Sequence, residues 1–341
     1  MRTDPSCLQV DLNFYRPAMD VTERRNPFGS LESHAQPFTA ARLLQTAVAE
    51  VRSLTWPRRA DRRLLEALSR DAERPRPPAR RTVRLTTLRQ RPRRVPGRVL
   101  FERLGGADEI CLQSFVIHHP DATILIDPAV PADVHGQVMP ELQPALRRIV
   151  WPPASTIPTR DALAESGIRP DLAMCTHAHW DHVSGLLDLP GLPVVLHDDE
   201  IDWAATGELA PAGGVRRGLA DRPLHGFALD GPPVLTFERS HDLFGDGSVV
   251  AVDLAGHTPG SVGLLLETED GPVVLIGDVA WHSRQVEALR QRSGLPGCLV
   301  DENRERTWHT LHRLHALPAQ VTVVPAHDHA RAARWAVPSA G

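Results

Sequence analysis

The sequence predicts an α/β (α+β) protein: two mixed sheets packed as a sandwich with helices outside, carried behind a helical N-terminal extension. Three observations predict it. From about residue 98 the chain becomes short apolar runs separated by Gly, Pro and Asp, the texture of many short strands. The two halves of this region share one layout, strands first and helices after, which suits two sheets with their helices outside. Ahead of it the charge changes sign. Residues 1–97 hold 20 Arg against 10 Asp plus Glu, a balance of +10, whereas residues 98–341 hold 18 Arg against 32 acids, a balance of −14. A composition boundary near Gly97 follows, with residues 1–97 as a basic, Arg/Pro-rich extension and 98–341 as the main domain. The chain has no lysine. Charge alone is weak evidence for a nucleic-acid partner, so the basic segment is read as docking on its own acidic body.

With 341 residues, 42% hydrophobic and 23% charged, the composition is that of an ordinary soluble protein. The longest apolar runs, such as Val262–Leu266 and Val273–Ile276, are far too short to span a bilayer, so no membrane role is expected. The first thirty residues lack the apolar run of a signal peptide, which makes the cytoplasm the expected location. Cys7, Cys111, Cys175 and Cys298 are scattered without a CxxC pair, against both a disulfide framework and a zinc knuckle. Cys175 reads as a packed core thiol.

Residues 1–38 are polar and broken by Pro5, Pro17, Pro27 and Pro37. Thr39 is an N-cap for a helix to Thr55, in which Leu43, Leu44, Ala47, Val48, Val51 and Leu54 recur at helical spacing. A second helix spans Ala60–Ala72, and residues 74–81 form an extended linker. This arm is too small for a core of its own; it must pack on the body, a partner or a second subunit, and a homodimer through it is one expectation. Strands are expected at Arg98–Leu104, Glu109–Ile117 and Ala122–Ile126, the last two joined by a Pro120-Asp121 turn and hence antiparallel. Residues 133–150 read as helix interrupted by Pro140 and Pro144. A helix Arg160–Ser166 ends at Gly167, followed by strand Asp171–Thr176, strand Pro193–His197 and helix Asp198–Ala205. The Gly-rich stretch Thr206–Asp230 reads as one long loop, a lid or pocket wall. Strands Val234–Glu238, Ser248–Leu254, Ser261–Glu267 and Pro272–Ile276 follow, then helices Ser283–Arg292 and Glu302–Leu314 and a final strand Gln320–Val324.

Four of these strands end in metal-competent side chains. The strand closing at Thr176 runs into His177, His179, Asp181 and His182, four such residues within six positions. The strand ending at Leu254 leads through Ala255-Gly256 to His257, the one ending at Ile276 leads to Gly277-Asp278, and the last leads to His327. Imidazoles and carboxylates carried on stiff strand ends suit zinc with open positions for water and substrate. Iron and manganese accept the same donors. A single histidine at a strand end is usually just a hydrogen-bonded loop residue, and His118, His119, His197, His225, His241, His309, His312 and His315 are read that way. Asp127 ends its strand and is expected to accept the free ring N–H of a ligating histidine, namely His177; the plain alternative is an Asp-Pro turn.

HxHxDH followed by a later His, an Asp and a final His resembles the metallo-β-lactamase superfamily. The match covers about residues 98–335 and leaves the arm outside. The resemblance implies a four-layer αββα sandwich with two metal ions, two Zn2+ in the first instance, at one edge of the sheets. It assigns His177, His179 and His257 to one metal and Asp181, His182 and His327 to the other, with Asp278 bridging. The two ions would share a hydroxide that attacks an electrophilic carbonyl or phosphorus, and Asp181 would also relay a proton to the leaving group. The resemblance thus implies that Asp181 and Asp278 are the catalytic carboxylates of a hydrolase acting on a small molecule.

Within the superfamily the pattern is similar to the N-acyl homoserine lactonases and related esterases. Trp180 stands where the tRNA-processing nucleases usually carry glycine, which argues against a nucleic-acid substrate. One departure concerns the substrate pocket: those lactonases have a tyrosine three residues after the bridging aspartate, where this chain has Trp281, and its one tyrosine is Tyr15. An indole donates one N–H and cannot act as an acid. The alternatives are a glyoxalase II-like thioesterase and a persulfide dioxygenase-like enzyme with one iron.

Overall fold

A computed structural model describes residues 19–30, 39–102, 105–207 and 211–337. Cys7 and Tyr15 lie outside the described residues, as do parts of the segments 1–38, 98–104 and 206–230. The strands are, in chain order, β1 Thr22–Arg24, β2 Arg84–Thr87, β3 Arg93–Pro96, β4 Ala107–Ile110, β5 Phe115–His119, β6 Ala122–Ile126, β7 Leu172–Met174, β8 Val194–His197, β9 Leu224–Phe227, β10 Ser240–Asp242, β11 Val249–Asp253, β12 Val262–Thr268, β13 Gly271–Leu275 and β14 Thr322–Val324.

Among the described residues they form a seven-stranded sheet in the order β1-β9-β8-β7-β6-β5-β2, a five-stranded sheet β10-β11-β12-β13-β14, and a small hairpin β3-β4. Both large sheets are mixed. β6, β7, β8 and β9 run parallel, while β5 and β6 pair antiparallel with His119 opposite Ala122 across the expected turn. β13 and β14 are parallel, whereas β10 to β13 form an antiparallel meander.

Alternation along the strands builds the layers, because successive side chains point to opposite faces. Phe115, Ile117, Ile124, Ile126 and Met174 of one sheet meet Val249, Ala251, Leu264, Leu266 and Leu275 of the other in the central core. The intervening Val116, Leu125, Ala173 and Leu196 face outward and are covered by Val183, Leu186, Ile201 and Val215. Outside the second sheet, Val250, Val252, Leu265 and Val274 pack under Trp308, Leu311 and Leu314 of the helix Arg304–His315. These are the four αββα layers. No described helix is long and apolar enough to cross a membrane.

Several elements differ from the expectation. The extension is not only helical: β1 and β2, both ahead of residue 97, are the two edge strands of the seven-stranded sheet. Short polar strands such as Thr-Glu-Arg carry almost no apolar alternation, so only pairing reveals them. In the described part of the strand expected at Arg98–Leu104, Gly97–Leu100 is instead a helical turn following β3. Glu109–Ile117 divides into β4, in the hairpin, and β5, in the sheet. The Thr206–Asp230 stretch contains a helix Val215–Leu219 and strand β9. Val234–Glu238 is a tight turn in which Val234 and Phe237 bridge, and β10 takes the edge position. A further helix, Gly294–Val300, had no periodic signal in its Gly- and Pro-containing sequence.

That helix receives the first helix of the extension, α1 (Ala40–Thr55), which is capped by the Thr39 hydroxyl. α1 packs its small, polar side inward: Thr46 and Ser53 are buried, and the backbone N–H of Gly294 donates to Ser53. A Cβ on Gly294 would lie 2.2 Å from the Ala49 carbonyl carbon, so only glycine permits this approach. The second helix, α2 (Arg62–Asp71), is capped by Asp61 and buries Leu68.

Candidate metal centre

The ends of β7, β11, β13 and β14 converge at one edge of the two sheets. β7 comes from the first sheet and the others from the second, so the site straddles the sandwich. Two groups of ligand atoms form there, each group lying within 4.8 Å: His177, His179 and His257, and Asp181, His182, Asp278 and His327. The structure thus brings together all seven residues singled out by the sequence. Asp278 lies between the groups. Its Oδ1 is 3.3 Å from His182 Nε2 and 3.1 Å from His327 Nε2, while its Oδ2 is 3.7 Å from His257 Nε2. Asp181 Oδ2 is 3.6 Å from His327 Nε2.

Local backbone makes the approach possible. Gly277 adopts φ +49°, and a Cβ there would lie 2.7 Å from Thr176 Oγ1. Asp127 sits at φ +52°, a conformation Asp tolerates better than most residues. Its carboxylate accepts from the backbone N–H of Thr176 at 2.7 Å and from the Thr176 hydroxyl at 2.9 Å. It also lies 3.0 Å from His182 Nδ1. The expectation that Asp127 supports His177 is therefore corrected. β6 and β7 are adjacent and parallel, so Asp127 stands beside the start of the ligand loop, and the loop's helical turn brings His182 back over it. His177 Nδ1 has Thr176 Oγ1 at 3.2 Å instead.

Two further histidines are oriented in the same manner. His257 Nδ1 lies 2.9 Å from Asp301 Oδ1, and His327 Nδ1 donates to the Cys111 carbonyl at 2.7 Å. Anchoring Nδ1 leaves Nε2 as the atom turned to the centre. His177 Nε2 is buried without a hydrogen-bond partner, and His179 Nδ1 faces His257 Nε2 at 2.8 Å. Imidazole nitrogens converging in this way fit a cation, and the N/O donor set suits zinc.

The charge states divide along the same line. Burial and the neighbouring imidazoles hold His177 and His179 well below the usual histidine range; burial also lowers His257. Neutral imidazole is the form that ligates a metal. Burial pushes His182 and His327 the same way, but facing carboxylates outweigh it: Asp127 and Asp278 raise His182 well above its ordinary value, and Asp278 raises His327. Asp278 is correspondingly held far below the carboxylate range, against its burial, by His327 and His182. A cation bound here would take the place of protons shared among these groups.

Three supporting residues had no local signal in the sequence. Asp301, 44 positions after His257, orients it and is brought down to about 2 because Arg292, His257 and Arg304 outweigh burial. Arg292 is fully buried; it donates to Asp301 and, at 2.5 Å, to the Asp278 carbonyl. Glu200, also fully buried, accepts from the Ala178 N–H at 2.6 Å, the Thr258 hydroxyl at 2.7 Å and the Gly260 N–H at 2.9 Å. It thereby ties the His177–His182 loop to the loop that carries His257. Among the histidines expected to be structural, His119 contacts Asp246, His241 contacts Asp230, and His312 contacts the Trp308 carbonyl.

Trp281 lines a cavity of about 450 Å3 above the ligand clusters, together with Trp180, Asp181 and His327. Its ring nitrogen donates to Asp278 Oδ2 at 2.7 Å, and the Arg292 guanidinium lies 4.9 Å from its ring centre.

Comparison with known proteins agrees with this geometry. A family model for the metallo-beta-lactamase superfamily matches residues 113–327. The chain is 31% identical over 189 residues to a hydroxyacylglutathione hydrolase of Methylococcus capsulatus, covering 54% of this chain and 59% of that protein. It is 29% identical over 156 residues to the N-acyl homoserine lactonase AttM of Rhizobium radiobacter, covering 45% and 56%. The aligned region thus spans less than two thirds of either relative. Among solved structures, a mutant of B. thuringiensis AiiA with N-decanoyl-L-homoserine bound superposes with a TM-score of 0.54 at 16% identity, covering 74% of this chain and 97% of that one. That likeness is one of fold.

Proposed function

Because the chain belongs to the metallo-beta-lactamase superfamily, we propose that it is a dinuclear, zinc-dependent hydrolase acting on a lactone, ester or similar bond of a small molecule. The observation that carries this reading is the pair of complete ligand groups joined by Asp278. His177, His179 and His257 would hold one ion, Asp181, His182 and His327 the other, and Asp278 both. When bound, such a pair supplies a hydroxide at neutral pH and withdraws charge from the substrate oxygen. The chain's own residues do the rest. Asp127, Asp301 and the Cys111 carbonyl fix the ring orientations, and Trp180 and Trp281 line the cavity. Asp181, which lines the cavity, would pass a proton to the leaving group. We place the enzyme in the cytoplasm, consistent with the free thiols of Cys111, Cys175 and Cys298.

A thioester is the second reading, favoured by the likeness to the M. capsulatus hydroxyacylglutathione hydrolase. Turnover of lactone, ester, thioester and phosphotriester substrates, with metal content measured on the same samples, separates these readings. Near two zinc per chain with hydrolysis supports the proposal, and one iron with oxygen consumption supports a dioxygenase. His177→Ala and Asp278→Ala should each remove metal and turnover together; full turnover by metal-free protein sinks the proposal.

We further infer that the enzyme is a homodimer through the N-terminal extension. With its polar side against the body, α1 turns its apolar side outward: Leu43, Leu44, Val48, Val51, Leu54 and the following Trp56 are 48–77% exposed. Together they expose on the order of 600 Å2, at the upper limit for a monomer surface and near the roughly 800 Å2 per partner of a specific interface. An antiparallel two-fold pairing centred at Ala47–Val48 would set Leu44 of one copy against Val51 of the other. Light scattering at tens of micromolar should find a dimer that Leu44→Glu with Val51→Glu converts to a monomer. A monomeric wild type, or one that binds anionic lipid vesicles through this face instead, overturns the inference.

A further inference from the structure

The cavity over the ligand clusters has a wall that the superfamily match does not include. Residues 93–102 and 105–112, ahead of the matched 113–327, form the β3-β4 hairpin, the helical turn Gly97–Leu100 and the segment leading to β5. This wall is fastened to the site by backbone. The Cys111 N–H donates to the His327 carbonyl at 3.0 Å, His327 Nδ1 donates back to the Cys111 carbonyl, and Ile110 bridges Asp328. The position of the wall is therefore set directly by the last ligand histidine. Most of its inward surface is apolar: Val95, Val99, Ile110 and Leu112 face Val150 and Leu295 across the space.

Set into this apolar lining are four arginines, Arg91, Arg93, Arg94 and Arg98. None forms an ion pair among the described residues. The acidic residues of the lining are already engaged. The Glu50 carboxylate accepts from the Leu295 N–H at 2.6 Å, and Asp181 belongs to the ligand group. Arg93 is half-buried, donates to the Trp151 carbonyl at 3.0 Å, and lies close enough to Asp181 for the two charges to interact. Burial lowers its pKa, the sign of a guanidinium partly withdrawn from water without a full counter-charge. Withdrawing a charge from water is costly unless it is paired. The guanidinium fork is suited to a carboxylate or phosphate.

We propose that the cleft recognises an anionic amphiphile: a hydrolysable substrate whose apolar chain lies along Val95, Val99, Ile110 and Leu112 and whose carboxylate or similar anionic group is held by Arg93. This assignment rests on the hydrolase reading for what happens to the substrate and on the cleft alone for what binds. A volume of about 450 Å3 falls within the range of small-molecule sites and leaves room for a medium-length chain.

Binding of decanoate and of decanol to the zinc-loaded protein, measured by calorimetry, tests the cleft without requiring turnover. Decanoate should bind at least tenfold more tightly than decanol. Arg93→Met should reduce that preference to less than threefold with zinc content unchanged, and Arg93→Lys should keep most of it. Equal affinity in the wild type overturns the proposal. A preference that survives Arg93→Met belongs to the metal ions and overturns it as well. If the preference is present and lost in Arg93→Met while no ester, lactone or thioester is turned over, the cleft assignment stands and the hydrolase reading falls. Turnover with no anion preference gives the reverse.

Discussion

The indole N–H of Trp281 donates to Oδ2 of Asp278 at 2.7 Å, so a residue of the cavity wall supports the carboxylate that joins the two groups of the candidate metal centre. The ring is fixed on the other side by Arg292, 4.9 Å from its centre, and its backbone N–H donates to Gln285 at 2.7 Å. Trp281→Phe keeps the bulk and removes the donor. Loss of such an outer partner typically weakens metal binding about 10–100-fold. Chelator competition should show a weakening of that order for Trp281→Phe; an unchanged affinity would assign Trp281 to the cavity wall alone.

Asp127 holds the start of the ligand loop through Thr176 and faces His182. Asp127→Asn keeps the shape but loses the charge that favours the proton on His182 Nδ1. The Asp181/His182/Asp278/His327 group should lose its ion first, and the His177/His179/His257 group should retain its own. Zinc titration of the variant should show one tight site where the wild type shows two. Two undisturbed sites with full activity would reduce Asp127 to a turn residue.

Asp301 should act on the opposite group. It orients His257 and is itself paired with Arg292, both buried. Asp301→Asn should weaken the ion at His177, His179 and His257 by about 10–100-fold. It also leaves the buried Arg292 charge without its carboxylate counter-charge, a type of change that costs roughly 3–5 kcal/mol. Urea unfolding and zinc titration of the same sample separate the two effects; a loss of stability without loss of zinc affinity would make Asp301 structural only.

Glu200 gives a pH dependence of known sign. Burial raises its carboxyl to about 7, against the three donors that favour the charged form. Its proton is therefore held more tightly in the folded chain than in the unfolded one. The stability this contributes is present below the ordinary Glu value, about 4.3, and is lost as pH rises through about 7. The difference is on the order of 3 kcal/mol. Glu200→Gln cannot titrate, so its stability between pH 4.5 and 8 should fall less steeply than that of the wild type. Equal slopes in denaturant unfolding would show that Glu200 stays ionised throughout. At any pH the variant should also be less stable by about 1–3 kcal/mol, because one buried donor loses its acceptor.

Much of the centre was legible in the sequence because metal ligation imposes a local pattern. His177, His179, Asp181 and His182 are adjacent in the chain, and His257, Asp278 and His327 each follow an apolar strand at short distance. The four layers were legible for the same reason: strands such as Val262–Thr268 and Gly271–Leu275 carry enough apolar residues to declare themselves. β1 and β2 were not legible, because an edge strand has one neighbour and little apolar surface to bury. The helix Gly294–Val300 was missed because glycine and proline carry no helical signal, although its Gly294 is what admits α1.

The sequence by itself picked out the side chains of the candidate centre, since strand-then-ligand order survives in one dimension. Only the tertiary structure decided what holds them. Asp301 reaches His257 across 44 residues, Glu200 reaches Thr258 across 58, and Asp127 turned out to serve His182 rather than His177. Orientation of a ring depends on which strand lies beside it in the sheet, and that neighbour is chosen by pairing. The same holds for Trp281, whose N–H is committed to Asp278, and for Arg93, whose place in the cleft follows from the bond between Cys111 and His327.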